Sequence, residues 1–197
     1  MQSPTCVNLR INTLQEAKVI FHAVDLGLLG MMARRLDTHE RQAITAGDVY
    51  IWEEKGIGSN SSTGIERWTD GIAWGPSITR DNFLYYEERV GPVGLRYGIR
   101  SQARLHRYEK IGPLKKQTYS VYVDTPHGQR KRHLMAYFTD QTSEKLQTVS
   151  QRRDLSEIAV PLGMYRPAGR QASSQRNGTN ERQGGQLHGT SRIKSML

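Results

Sequence analysis

The stretch from Lys115 to Phe138 constrains the fold more than any other. Lys115-Lys116-Gln117-Thr118-Tyr119-Ser120-Val121-Tyr122-Val123 alternates so that Tyr119, Val121 and Val123 share one strand face. Asp124-Thr125-Pro126-His127-Gly128 is a cluster of turn formers. His133-Leu134-Met135-Ala136-Tyr137-Phe138 then returns as the partner strand. This is the clearest hairpin in the chain, so antiparallel pairing is expected to organise the molecule.

Other strands read less strongly. Val49-Tyr50-Ile51-Trp52 is β-branched and aromatic, and Phe83-Leu84-Tyr85-Tyr86 repeats that composition before Gly91-Pro92-Val93-Gly94 breaks it. Helices are announced by caps. Thr13 and Glu16 form a capping box ahead of Leu14, Ala17, Phe21, Val24 and Leu28 at helical spacing, predicting a helix over 14–29 that stops at Gly30. Asp37 and Glu40 repeat the device, predicting a short helix through Ile44 with Gly47 beyond it. Between Leu95 and Gly112, arginines 96, 100, 104 and 107 and Lys110 recur at helical spacing, but Gly94, Gly98 and Gly112 argue against a helix. The stretch therefore reads as a basic linker. Leu155, Ile158 and Val160 are expected to dock the chain back before Pro161. Residues 167–197 are rich in Gln, Gly, Ser, Asn and Arg, too polar to offset the entropy of ordering, and are expected to be disordered. The fold class expected is α+β: one mixed body of antiparallel strands with flanking short helices.

Charge narrows the partners. The 197 residues carry a net charge of +9, which favours polyanions: DNA, RNA or acidic lipid. No apolar run approaches the roughly 20 residues needed to cross a bilayer, and the N-terminus lacks an apolar signal core. The single cysteine, Cys6, excludes an internal disulfide and a thiolate zinc site, and it is expected in a frayed terminus without a base partner. No two histidines have the i, i+4 spacing of a helical metal site, and acidic residues are dispersed. No P-loop ending, dinucleotide loop or nucleophile elbow is present. The chain is therefore expected not to be an enzyme and to need no cofactor.

The unusual segment is Gly64-Ile65-Glu66-Arg67-Trp68-Thr69-Asp70-Gly71-Ile72-Ala73-Trp74-Gly75-Pro76-Ser77. It is too rich in glycine for a helix and too polar for a central strand. A structured loop fits, with Trp68 and Trp74 as anchors and with Thr69 and Asp70 hydrogen-bonded to nearby backbone. Two arrangements satisfy it. In one, the rigid loop presents Arg67 outward; in the other, both indoles are core and Arg67 pairs with Glu66 or Asp70.

This segment resembles the signature of the fungal WOPR-domain transcription regulators. Residues Thr63 to Ser77 and Asn82-Phe83-Leu84-Tyr85-Tyr86-Glu87 follow the family motif closely. The likeness extends to Ala33-Arg34-Arg35-Leu36, to the strand at Val49, to Gly112-Pro113-Leu114-Lys115-Lys116 and to the strand at His133, ending near Tyr165-Arg166. Gly75 replaces a usual serine, and Ile78-Thr79-Arg80 stands where the family arginine follows serine directly. The resemblance implies a first segment over 8–94, a variable basic linker over 95–111, a second segment over 112–166 and a tail over 167–197, with strands of the two segments interleaved. It implies control of fungal morphology or development from the nucleus, with A/T-rich double-stranded DNA as partner and other transcription factors as further candidates. Oligomeric state and the genes regulated are not implied.

The DNA-binding residues expected on this basis are Arg67, Trp68, Thr69, Asp70, Gly71, Ser77, Arg80, Lys115, Lys116, Arg34 and Arg35. A/T-rich tracts narrow the minor groove and deepen its negative potential, which suits a guanidinium such as that of Arg67. Lys115 and Lys116 are expected on phosphates or a major-groove guanine, and Arg34 and Arg35 on phosphates. The alternative is an RNA-binding module that stacks bases on exposed Tyr85, Tyr86, Tyr119 and Tyr122. Arg130-Lys131-Arg132 fits either a nuclear import signal or a basic hairpin loop.

Overall fold

Antiparallel pairing does organise the chain. A computed structural model describes residues 1–56, 64–89 and 102–168. In chain order the elements are α1 (Leu14–Asp25), α2 (Thr38–Ala43), β1 (Val49–Glu53), β2 (Ile78–Arg80), β3 (Phe83–Glu87), α3 (Gln102–Ile111), β4 (Lys115–Thr125), β5 (Gly128–Phe138), a 3-10 turn (Val149–Gln151), α4 (Arg153–Ser156) and β6 (Tyr165–Pro167). The sheet runs β1-β5-β4-β3-β2, and β6 also pairs with β4. The β4–β5 hairpin is in register from Lys115↔Phe138 to Thr125↔Gly128, longer than its apolar run suggests. On its other edge β4 bonds β3 near its start and β6 from Val121 to Val123. Strands from after α3 thus lie between β1 and β3, which come from before it.

The sheet has two covered faces, and the period of two sorts residues between them. Val49 and Ile51 of β1, Tyr119, Val121 and Val123 of β4, and Leu134 and Ala136 of β5 meet Ala17, Ile20 and Phe21 of α1. On the opposite face Tyr50, Trp52, Met135 and Tyr137 meet Met32, Leu36, Ile65, Ile72 and Leu114, with Trp68 and Trp74 packed against them. Each large side chain so buried contributes about 1.5–3 kcal/mol. A helix therefore covers one face, and the tryptophan segment covers the other.

Several sequence expectations are corrected. Helix α1 has its capping box, with Thr13 accepting from Glu16 N and Glu16 reaching back, but it ends at Asp25. Gly27, not Gly30, is the stop: Gly27 N bonds Val24 O and Leu28 N bonds Ala23 O, closing the last turn. The basic stretch is not a plain linker, since 102–111 form α3. Gly98 precedes that helix, and Gly112, at φ +77° with its N–H on Tyr108 O, ends it. Gly112 thus bounds the helix instead of breaking it, and Gly94 and Gly98 lie outside the described residues. Helix α3 is fastened by Arg107, whose guanidinium lies 2.8 Å from the Glu88 carboxylate with both side chains under 10% exposed. Strand β2 was not anticipated. It joins β3 through Asp81 and Asn82, both at positive φ, the geometry of a two-residue hairpin turn.

The N-terminus is not frayed at Cys6. Cys6 exchanges backbone hydrogen bonds with Val49 and is buried, and burial pushes its thiol up to about 11. Residues Arg130, Lys131 and Arg132 lie on β5, not in a loop, and each meets an acid: Arg130 and Arg132 meet Glu53, and Lys131 meets Glu54. Leu155 is buried, with Ile158 and Val160 packed beside it. Of the expected tail, Pro167 belongs to β6 and Ala168 N bonds Ser120 O; residues 169–197 lie outside the described residues, as does the loop 57–63.

Candidate nucleic-acid interface

The tryptophan segment is a loop pinned at both roots. Ile65 N bonds Glu53 O at the end of β1, and Lys55 N bonds Ile65 O. At the exit, Gly75 N bonds Glu87 O and Arg89 N bonds Ala73 O, beside β3. Gly64 sits so close to β1 that a Cβ there would lie 2.9 Å from the Lys55 Cα.

Asp70 fixes the middle. Its carboxylate is buried and accepts from Ile72 N at 3.1 Å, Trp74 Nε1 at 3.1 Å, Tyr137 Oη at 2.9 Å and Lys116 Nζ at 3.0 Å. The Tyr137 hydroxyl in turn accepts from Trp68 Nε1 at 2.7 Å. Trp68 stacks on Trp52, with centroids 6.3 Å apart, and leans on Tyr50. Lys116 Nζ lies 4.3 Å from the Trp74 ring centroid and 5.0 Å from that of Tyr86, so the ammonium is held by one carboxylate and two aromatic faces. Burial pulls the Lys116 pKa down, with Asp70 acting against it. Burial pushes the Tyr137 hydroxyl well above its ordinary value, so it stays protonated and able to donate.

Arg67 stands at the outer side of this frame. It is exposed and forms no hydrogen bond or ion pair among the described residues. Its acidic neighbours are engaged elsewhere: Glu66 with Arg35 at 2.8 Å, and Asp70 with Lys116. Gly71, at φ +66°, and Ser77 are exposed, and Thr69 is half-buried.

The other basic candidates differ from one another. Arg80, on the edge strand β2, is exposed, with its guanidinium 4.9 Å from the Tyr85 ring centroid. It shares a groove of about 580 Å³ with Lys115, Arg89, Ile78 and Phe138. Lys115 Nζ is 2.7 Å from the exposed Asp140. Arg34 is half exposed but gripped through both terminal nitrogens, at 2.9 and 2.8 Å, by buried Glu40, whose carboxyl it holds down at about 2. Arg35 reaches the tryptophan loop through Glu66. Lys116 belongs to the interior. Of the four tyrosines that base stacking requires, Tyr119 is buried and the other three are half-buried.

Tyr137 was not singled out from sequence. The clue was available in register: Lys116 of β4 stands opposite Tyr137 of β5, so both point to the loop-covered face. Among the described residues no cluster of His, Cys, Asp and Glu could hold a metal ion, and no helix is long and apolar enough to cross a membrane.

A family model described as the Gti1/Pac2 family matches residues 8–110, just over half of the chain. The chain belongs to the Gti1/Pac2 family. The matched region takes in α1, α2, β1, the tryptophan loop, β2, β3 and all but the last residue of α3. Among relatives, the cAMP-independent regulatory protein pac2 of Schizosaccharomyces pombe is 29% identical over 199 residues, spanning 81% of each chain. Global transcription regulator FGP1 of Gibberella zeae is 42% identical over 83 residues, and those cover 42% of this chain but only 22% of FGP1. Among solved structures, the WOPR domain of Wor1 in Candida albicans, in complex with 13-bp dsDNA, matches with a TM-score of 0.63 and 28% identity, covering 82% of this chain and 94% of that one. Its complex with 17-bp dsDNA matches with a TM-score of 0.60 and 26% identity, covering 82% and 95%. The antiparallel sheet with short helices is the WOPR fold of this family.

Proposed function

We propose that the chain is a nuclear, sequence-specific DNA-binding transcription regulator that reads A/T-rich duplexes by placing Arg67 in the minor groove. The observation that carries this reading is the exposed Arg67 guanidinium, without a hydrogen bond or ion pair among the described residues, between Glu66 and Trp68, whose side chains are engaged by Arg35 and Tyr137. Because the loop backbone is already fixed, binding has to order only the arginine side chain itself, and the negative potential of a narrow minor groove favours it. Support also comes from the Wor1 WOPR domain, which resembles this chain and whose solved structures contain double-stranded DNA. Arg35, Arg80 and Lys115 are the proposed phosphate contacts, with Ser77 and Thr69 as lesser polar contacts and Gly71 shaping the turn. Asp70, Trp68 and Lys116 act from inside by holding the loop. Arg34 is assigned chiefly to the Glu40 clasp. Control of morphology or development is the proposed output.

Selection of duplexes from a random pool by the purified protein gives the matched sequence, and titration against matched and scrambled duplexes follows. Arg67→Ala is expected to fold normally, lose about 1–3 kcal/mol of binding to the matched duplex and relax sequence preference. Normal binding of the matched duplex by Arg67→Ala overturns the minor-groove assignment.

A further inference from the structure

We infer that Tyr137 is a positioning residue for the tryptophan loop: its hydroxyl, fixed in the sheet, sets where the loop presents Arg67. The inference rests on the reading of Arg67 above for its DNA consequence, but not for its structural one.

Between its roots at Ile65 and Gly75 the loop carries its own hydrogen bonds from Ile72 N and Trp74 Nε1 to Asp70. These shape the turn without tying it to the sheet. Two strand residues supply polar ties from the sheet. Tyr137 donates to Asp70 and accepts from Trp68, and Lys116 donates to Asp70. Tyr137 is fully buried in β5, with its backbone N–H on Asp48 O and Lys116 opposite it in β4. A side chain packed on every side in the middle of a sheet has almost no freedom, so its hydroxyl is a fixed post. Trp68 is bonded directly to Arg67 in the chain, and consecutive Cα atoms are about 3.8 Å apart. A shift of the backbone at Trp68, which its indole anchors, therefore carries Arg67 with it. One oxygen atom thus orients both the residue beside Arg67 and the carboxylate at the centre of the loop.

Tyr137→Phe keeps the ring and removes the oxygen. Two readouts test it on the whole chain. In the free protein, hydrogen exchange at the amides of 67–74 is expected to speed up about ten-fold or more relative to those of β4 and β5. A purely structural role would shift all of these amides together. With duplexes, the ratio of matched to scrambled affinity is expected to fall about ten-fold, within the range of one base-reading contact, while scrambled binding stays near wild type. A folded Tyr137→Phe protein with unchanged loop exchange overturns the positioning role, whatever the DNA data say. Faster loop exchange with an unchanged ratio keeps the post but overturns its link to Arg67. A wild-type protein without preference for any duplex overturns the reading of Arg67 instead, leaving the exchange result to judge Tyr137. Should Tyr137→Phe fail to fold, Lys116→Met asks the same question by removing the other sheet-borne donor to Asp70. An unchanged loop in that variant overturns the claim that the sheet's donors position it.

Discussion

Lys116 and Asp70, 46 residues apart in the chain, meet with Nζ 3.0 Å from Oδ2 in the interior between sheet and loop. Their side chains are only 12% and 6% exposed. Two charges withdrawn from water this far lose several kcal/mol of hydration each, and their mutual attraction does little more than offset that loss. The pair is therefore a weak source of net stability but a strong constraint on where the loop docks, because any other placement leaves a buried charge unmatched.

Removing one partner should expose that asymmetry. Asp70→Ala is expected to cost about 3–5 kcal/mol, because it strands the ammonium and deletes the acceptor for Tyr137, Trp74 and Ile72 N. Lys116→Met placed in that background should recover part of the loss, and urea midpoints of the four proteins measure the coupling. Additive single effects would show that the two charges do not interact.

A second buried pair fastens the stretch read as a linker. The Glu88 carboxylate takes Arg107, within α3, at 2.8 Å and Leu114 N, just before β4, at 2.9 Å. Glu88→Ala is expected to destabilise by about 3 kcal/mol and to open α3 to proteolysis before the β4–β5 hairpin. Simultaneous cleavage of both would show that α3 has no separate attachment.

The legibility of this architecture follows from how local each signal is. The β4–β5 hairpin and the α1 capping box depend on residues within a few positions of each other, and both were readable. Helix α3 is not legible locally, because Gly98 and Gly112 look like breakers on either side of a basic stretch, and its anchor Glu88 lies 19 residues before Arg107. Trp68 and Trp74 were readable as anchors and Arg67 as the outward group of one arrangement. Lys116 was expected at a phosphate because a lysine pair at a strand start looks solvated. Its burial depends on Asp70, Trp74 and Tyr86, which arrive from another part of the chain. The Arg34–Glu40 pair is hidden in the same way, since Glu40 reads from sequence as a helix cap and in the structure also grips Arg34.

Asp48 makes stability depend on pH. It is buried beside Tyr50, and burial pushes its carboxyl from 3.8 up to about 6, against hydrogen bonds from Thr45 N and the Tyr50 hydroxyl. A carboxyl that holds its proton more tightly when folded stabilises most below its unfolded pKa, and that contribution is lost as pH rises through about 6. Asp48→Asn keeps the shape and an acceptor but cannot ionise. Relative to it, wild type is expected to lose about 2–3 kcal/mol between pH 4 and pH 7. The comparison with the variant removes the opposite trend of His133, whose pKa is lowered by burial and whose contribution is lost as pH falls. Urea midpoints across that range check it, and parallel profiles would mean that Asp48 titrates as it does unfolded.

Gly64 tests whether the root of the loop must touch β1. Its φ is +111°, and a Cβ would meet the Lys55 Cα at 2.9 Å and the Lys55 N at 3.1 Å, both backbone atoms that cannot step aside alone. Gly128, in the β4–β5 turn, has a comparable φ of +94° with nothing within 4 Å of the same position. Alanine at Gly128 therefore pays only for its backbone conformation, about 1 kcal/mol. Alanine at Gly64 must also part the loop from β1, and is expected to cost about 2–3 kcal/mol in all and to weaken binding to the matched duplex, while Gly128→Ala leaves that binding unchanged. Equal losses of stability in the two variants, with equal DNA binding, would show that the close approach at Lys55 does not set the position of the loop.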